Sequence, residues 1–172
     1  MSSIIRIATA TAVAATLVLA TGAASPAGIP AAKAALAGPP WISIEYPANP
    51  LDRSTRGAYL LVHAFHHGTP VGYPVSGTAE GLVKGERKTV TLHFTSTSRP
   101  GVYALQKQWG DEGVWTLLIT VTQATNDVAQ AIVELGPRGI TAVRVPTQRE
   151  REGDFPRKVT ASEVEQSLLA RR

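Results

Sequence analysis

The chain has 172 residues, 44% of them hydrophobic, and a formal net charge of +4, which suit one packed domain with processed or flexible ends. Cysteine is absent, which excludes a disulfide framework, a thiolate metal site and a cysteine nucleophile. From Ala34 onward 15 Lys and Arg are interspersed with 13 Asp and Glu, so no basic nucleic-acid-binding face is expected.

Residues 1–24 follow the pattern of a secretory signal peptide. Arg6 precedes an apolar stretch over residues 7–20, and small residues continue to Ala24. The stretch is short and rich in Ala and Thr compared with the roughly 20 apolar residues of a membrane span, so we expect cleavage near Ala24. A retained membrane anchor is the alternative, and in both cases the domain is extracytoplasmic, either periplasmic or secreted. Residues 25–38 are rich in Ala, Gly and Pro and predict a linker.

Residues 39–146 have the pattern of an all-β domain. Short apolar or alternating runs are separated by turn residues at intervals of about 8–12 residues, as in sandwich folds. No ten-residue helical pattern interrupts them, which disfavours a parallel α/β sheet. We therefore predict an immunoglobulin-like antiparallel β-sandwich of about seven or eight strands. The expected strands cover residues 41–46, 58–67, 71–83 (one or two strands), 90–95, 102–107, 114–121, 128–135 and 139–145.

The strongest β signal lies in residues 100–123. Two apolar runs flank the polar, glycine-bracketed turn at residues 110–113, a pattern that predicts a β-hairpin. A hairpin alone cannot bury its apolar faces, so a second sheet must cover it. We expect Trp115 to pack in the core and Tyr103 to donate a hydrogen bond to a loop, like the tyrosine corner of immunoglobulin-type sandwiches.

Glycines at the starts of both runs are expected to have unusual dihedrals or close backbone neighbours. The motif Gly101-Val102-Tyr103, then Trp109, then Gly113-Val114-Trp115 resembles the YtkA-like/FixH-like family of extracytoplasmic Ig-like domains. An upstream passage that begins at Gly68-Thr69-Pro70-Val71 and continues to Ala79 resembles that family too. The resemblance covers roughly residues 42–123. It implies an accessory module of an exported or membrane-bound system, and some members are associated with metal handling or respiratory complexes.

Residues 147–172 predict a charged tail that ends in a short amphipathic helix. Residues 148–158 are mostly charged and have no apolar face, which is typical of a flexible segment. Thr160 and Glu163 match a capping box, and Val164 and Leu168 share one helical face. A helix this short is marginal alone, so we expect it to pack on its own sandwich, with a partner protein as the alternative.

Four histidines form the only constellation that suggests chemistry: His63, His66, His67 and His93. On one strand His63 and His67 would lie about 13 Å apart, and His66 would face the opposite side. A shared metal site would need the strand to end near Phe65 and His93 to approach from another strand. With no cysteine, and with Met1 as the only methionine, soft copper ligands are scarce.

No catalytic motif is evident. A Gly-x-Ser-x-Gly elbow and a phosphate-binding glycine loop are both missing from the sequence. Asp111 and Glu112 lie in a predicted turn, and the acidic residues of the tail alternate with Arg149 and Arg151. We predict no catalytic, cofactor-binding or metal-ligating residues and no cofactor.

The predicted function is that of a non-catalytic, exported accessory module. It would bind a protein partner and support a membrane-associated or periplasmic complex, without nucleic acid or a metal ion. The alternative is a periplasmic copper-binding accessory protein that uses surface histidines.

Overall fold

Two antiparallel sheets of five strands face one another in the computed structural model, which describes residues 38–171. The predicted signal peptide and all but the last residue of the predicted linker lie outside the described residues. The first sheet contains β1 (Trp41–Glu45), β2 (Leu60–His66), β3 (Thr69–Pro70), β6 (Thr95–Ser96) and β7 (Val102–Leu105). The second sheet contains β4 (Val75–Val83), β5 (Glu86–Thr91), β8 (Val114–Thr122), β9 (Val128–Gly136) and β10 (Gly139–Arg144). The predicted all-β sandwich is confirmed.

The core lies between the sheets because strand alternation points every second side chain inward. In the first sheet, β2 is paired with both β1 and β7 and contributes Leu60, Val62 and Ala64, all with no exposed surface. In the second sheet, β8 is paired with β4 and β9, and contributes Trp115, Leu117, Ile119 and Val121. These two central strands are among the most apolar runs of residues 38–171, which explains why they avoid the edges.

Residues 100–123 do not form the predicted hairpin. β7 pairs with β2 and β6 in the first sheet, whereas β8 pairs with β4 and β9 in the second sheet. The connection at residues 106–113 crosses between the sheets and carries Trp109, which is 8% exposed, into the end of the core. Both strands direct apolar side chains inward, so placing them in opposite sheets buries more apolar surface than pairing them side by side.

The predicted strand at residues 90–95 is also wrong, because it is divided between the sheets. β5 begins earlier, at Glu86, after a two-residue turn in which Lys84 and Gly85 both have positive φ angles. This geometry is the tight turn that matches the twist of a hairpin. The chain then leaves the second sheet at Thr91 and joins the first at Thr95, while Leu92 stays in the core at 4% exposure. The alternation of apolar residues therefore correctly indicated which side chains are buried, although these residues do not form one continuous strand.

Expectations for the glycines and aromatics at the strand starts are confirmed. Gly101 and Gly113 have φ angles of +70° and +88°. The Tyr103 hydroxyl donates a 2.7 Å hydrogen bond to the carbonyl oxygen of Tyr73. Trp115 is 5% exposed and belongs to the core.

The charged tail is more ordered than its composition suggested. Its first part forms a two-stranded hairpin of β11 (Thr147–Glu150) and β12 (Gly153–Pro156). Arg149 and Asp154 face each other across this hairpin at 3.5 Å, a cross-strand pairing that an alternating charge pattern permits. Helix α1 (Ala161–Leu169) then begins at the predicted capping box of Thr160 and Glu163.

Helix α1 packs on the outer face of the second sheet, as expected. Leu168 is 1% exposed, and the Ser167 hydroxyl lies 2.8 Å from that of Thr116 on β8. The Arg171 guanidinium donates hydrogen bonds of 3.0 and 2.8 Å to the carbonyl oxygens of Trp115 and Leu135. Over the described range, no helix is long and apolar enough to cross a membrane.

The close contact between Gly81 and Trp115 predicts an asymmetric response to alanine. A Cβ atom at position 81 would lie 2.6 Å from the Trp115 ring, whereas a Cβ at Gly72 would meet nothing within 4 Å. Overpacking of this kind costs about 1–3 kcal/mol, so Gly81→Ala should lower the free energy of unfolding by that amount. In urea denaturation at 25 °C the control Gly72→Ala should stay within about 0.5 kcal/mol of wild type. Equal stability of the two variants would contradict this packing.

The ion pair at the start of α1 predicts a pH dependence. Arg157 contacts both Glu163 carboxylate oxygens at 2.8 and 2.9 Å, and this pairing, with the Thr160 N–H, lowers the pKa of Glu163 to about 2. The stabilisation is complete above the ordinary pKa of 4.5 and is lost as the pH falls toward 2. Glu163→Gln retains a capping side chain, so its thermal midpoint should fall below wild type at pH 7 and match it near pH 2. A difference that is independent of pH would refute the assignment.

Candidate functional site

An open cleft at one end of the sandwich has a volume of about 770 Å³, which is within the usual range for ligand sites. We call it the aromatic cleft. Five segments meet there: the end of β1, the start of β2, the 106–113 connection, the turn between β9 and β10, and the residues after α1. They converge because antiparallel pairing brings strand ends and strand starts to the same edge of the sandwich.

The wall of the aromatic cleft contains a row of three aromatic rings in contact. Tyr46 is 39% exposed, and its ring centroid lies 5.5 Å from that of Tyr59. Tyr59 in turn meets Trp109 edge to face at 5.0 Å. Burial, followed by the adjacent Tyr46 phenol, raises the pKa of Tyr59 to about 12. The phenol of Tyr59 is therefore neutral at physiological pH and contributes an apolar surface and a hydroxyl group.

Trp115 closes the inner side of the aromatic cleft, and its position is fixed from three directions. Its ring lies over Gly81, where any side chain would collide with it. Its indole N–H donates a 2.8 Å hydrogen bond to the carbonyl oxygen of Glu112. Its own carbonyl oxygen accepts a hydrogen bond from Arg171. The inner wall is therefore preorganised.

The position of the Tyr46 ring also depends on a glycine, Gly139. A Cβ atom at Gly139 would overlap the Tyr46 hydroxyl, and Gly139 has a φ of +124°, which L side chains rarely adopt. Gly139 begins β10, and Thr141 forms an irregularity in the pairing of that strand. Both residues line the aromatic cleft, so the start of this edge strand belongs to its wall.

Charges around the aromatic cleft are mostly committed to protein partners. Lys107 pairs with Asp111 within the 106–113 connection, and this lowers the pKa of the Asp111 carboxyl. Arg171 is held by backbone carbonyls, by Thr116 and, at 3.8 Å, by the Glu134 carboxylate. Arg138, at the exposed tip of the β9–β10 turn, forms no ion pair within residues 38–171. The uncompensated charge beside the rings is therefore positive.

The four histidines do not converge on a common site. β2 continues through His66, so the strand does not end at Phe65 as a shared site would need. His63 lies on the outer face, 2.8 Å from Glu45, whereas the buried His66 contacts the Gly38 carbonyl oxygen at 3.2 Å. His67 lies in the following turn with its ring 4.3 Å from that of His66.

His93 lies in the crossing between β5 and β6, where the Gln108 side chain binds both its backbone groups. Among the described residues, no group of three or more His, Cys, Asp or Glu side chains is arranged to hold a metal ion. The His66–His67 pair thus brings together two imidazoles without a third ligand of these types.

A polar cluster on the outer face of the first sheet has a structural explanation. The Glu45 carboxylate accepts a hydrogen bond from His63 and lies 3.5 Å from the Arg99 guanidinium. The Nε atom of Arg99 in turn lies 3.8 Å from the Asp52 carboxylate. Hydrogen bonds from the Ser54 hydroxyl and N–H lower the pKa of the Asp52 carboxyl. These contacts fasten the loop at residues 49–57 to the sheet.

Most residues of the aromatic cleft were not identified from the sequence. Trp109 and Trp115 were recognised as parts of a folding motif, but Tyr46 and Tyr59 were predicted only as members of strands and Arg138 only as part of a turn. Only the order of the strands in the sheets brings these residues together, and a single sequence does not reveal that order. Comparison with protein-family models, with curated proteins and with solved structures finds no match to this chain.

The separation of the histidines yields a prediction for metal binding. Titrations of the purified protein with Cu(II) and Zn(II), followed by calorimetry, should give the same weak isotherm for wild type and for the His63→Ala, His66→Ala, His67→Ala variant. His93→Ala is the matched single-histidine control, and circular dichroism should verify that each variant is folded. A stoichiometric site that only the triple variant loses would overturn the prediction.

Proposed function

We propose that this chain is a non-catalytic, exported binding module of the YtkA-like/FixH-like type. It binds a protein partner and supports a membrane-associated or periplasmic complex. The observation that carries the proposal is the preorganised aromatic cleft at the end of the sandwich. The expectation of export rests on the signal-like pattern of residues 1–24.

The composition of the aromatic cleft supports binding to a protein surface. Tyr, Trp and Arg are enriched at the energetic centres of protein interfaces, since they combine large apolar area with directed hydrogen bonds. Tyr46, Tyr59, Trp109 and Arg138 supply this combination within one opening. The rings are held by neighbouring side chains and by two glycines, so little conformational entropy is lost when a partner binds.

The acid–base properties of the cleft give less support to catalysis. A general acid or base works best when its pKa is near the operating pH. The pKa of Tyr59 is about 12, and Asp111 and Lys107 are paired with each other. Arg171 is engaged with backbone carbonyls. These groups suit recognition better than proton transfer.

Metal binding by surface histidines is the second candidate. The contact between His66 and His67 favours it, since two imidazoles already lie together beside an exposed turn. Structural and catalytic metal sites usually have three or more protein ligands, however. The calorimetric titration described above separates this candidate from the first.

Site-specific photo-crosslinking in the native cells tests the binding proposal. A benzophenone amino acid in place of Pro137, an exposed residue that lines the aromatic cleft next to Arg138, should yield one discrete heavy adduct in the membrane or periplasmic fraction. The matched control replaces Lys88, an exposed residue of β5 on the opposite edge of the second sheet, and should give no such adduct. Monomer alone at position 137, or the same adducts from both positions, would contradict the proposal.

A further inference from the structure

We propose that the aromatic cleft recognises a peptide segment of the partner in which an aromatic side chain lies next to a carboxylate. The aromatic side chain would enter among Tyr46, Tyr59 and Trp109, and the carboxylate would pair with Arg138. This inference rests on the proposed protein-binding function and assigns the chemistry of the partner.

The geometry of the rings supports an aromatic occupant. Tyr59 and Trp109 meet edge to face, while Tyr46 is tilted by 39° to Tyr59 and remains 39% exposed. A further ring can extend this row in the offset or edge-on arrangements that aromatic groups prefer. A volume of about 770 Å³ accommodates one large side chain together with its adjacent backbone.

The balance of charge supports a carboxylate beside that ring. Asp111 is the one acidic residue among the described residues of the wall, and it is neutralised by Lys107. Arg171 is held inside by the carbonyl oxygens of Trp115 and Leu135, which leaves Arg138 free to reach a ligand. A guanidinium group can bind a carboxylate through two parallel hydrogen bonds, which fixes orientation as well as charge.

The neighbouring strand edge supports a peptide occupant. β10 is the edge strand of the second sheet, and its first residues, Gly139 and Thr141, form part of the wall. An edge strand presents backbone N–H and C=O groups that an extended segment can pair with. A side chain seated in the cleft would bring its own backbone close to this edge.

Two blocked heptapeptides test the inference: acetyl-Gly-Ser-Asp-Phe-Asp-Ser-Gly-amide and the same peptide with both Asp changed to Asn. Titration of the full chain, followed by tryptophan fluorescence, should show about tenfold tighter binding of the acidic peptide, as one charge-assisted contact provides. Arg138→Gln should abolish this preference. The matched control is Arg151→Gln, because Arg151 also occupies an exposed two-residue hairpin tip.

A third peptide, with Phe changed to Ala, should lose binding at least tenfold. Equal affinity for the acidic and neutral peptides, or a preference that survives Arg138→Gln, would overturn the carboxylate assignment. Equal affinity for the Phe and Ala peptides would overturn the aromatic assignment. Failure of all three peptides to bind, together with a discrete photo-adduct at position 137, would refute this inference and leave the binding function intact.

Discussion

The packing of the Trp115 ring against Gly81 is the constraint on which most of this structure depends. Only glycine at position 81 leaves enough space for the Trp115 indole ring. The indole N–H donates a hydrogen bond to the Glu112 carbonyl oxygen. From that position the ring closes one end of the core and forms the inner wall of the aromatic cleft. The carbonyl of the same residue accepts from Arg171, so the core, the cleft and the C-terminal helix share one fixed point.

Local sequence patterns correctly predicted the features that depend only on neighbouring residues. The capping box at Thr160 and Glu163 joins groups three residues apart, and the positive φ at Gly113 needs only the absence of a Cβ atom. Short apolar runs also correctly located the strands that became β2 and β8. The predicted hairpin at residues 100–123 failed because alternation reports which side chains are buried, without reporting which strand lies alongside. Two strands that face each other across a core have the same pattern as two that pair.

The aromatic cleft shows the same limit for function. Tyr46 and Tyr59 flank a loop of the first sheet, whereas Arg138 belongs to a turn of the second sheet and Arg171 follows the helix. The strand order alone brings them together. The histidines show the reverse case. His63, His66 and His67 are close in the sequence, but they lie on opposite faces of one strand and in the turn that follows it. Closeness along the chain therefore did not indicate which residues form a site. The residues of the aromatic cleft instead lie at the ends of strands and in turns.

The tryptophans provide the most direct measurement of whether the aromatic cleft is the binding surface. The chain has three, of which Trp109 and Trp115 line the cleft, while Trp41 lies on β1 outside it. Each gives one indole N–H signal in a ¹H–¹⁵N spectrum of the labelled protein. On addition of the isolated partner protein, the account predicts that the Trp109 and Trp115 signals shift while that of Trp41 stays in place. A shift confined to Trp41, with both cleft signals unchanged in a complex that forms, would contradict it.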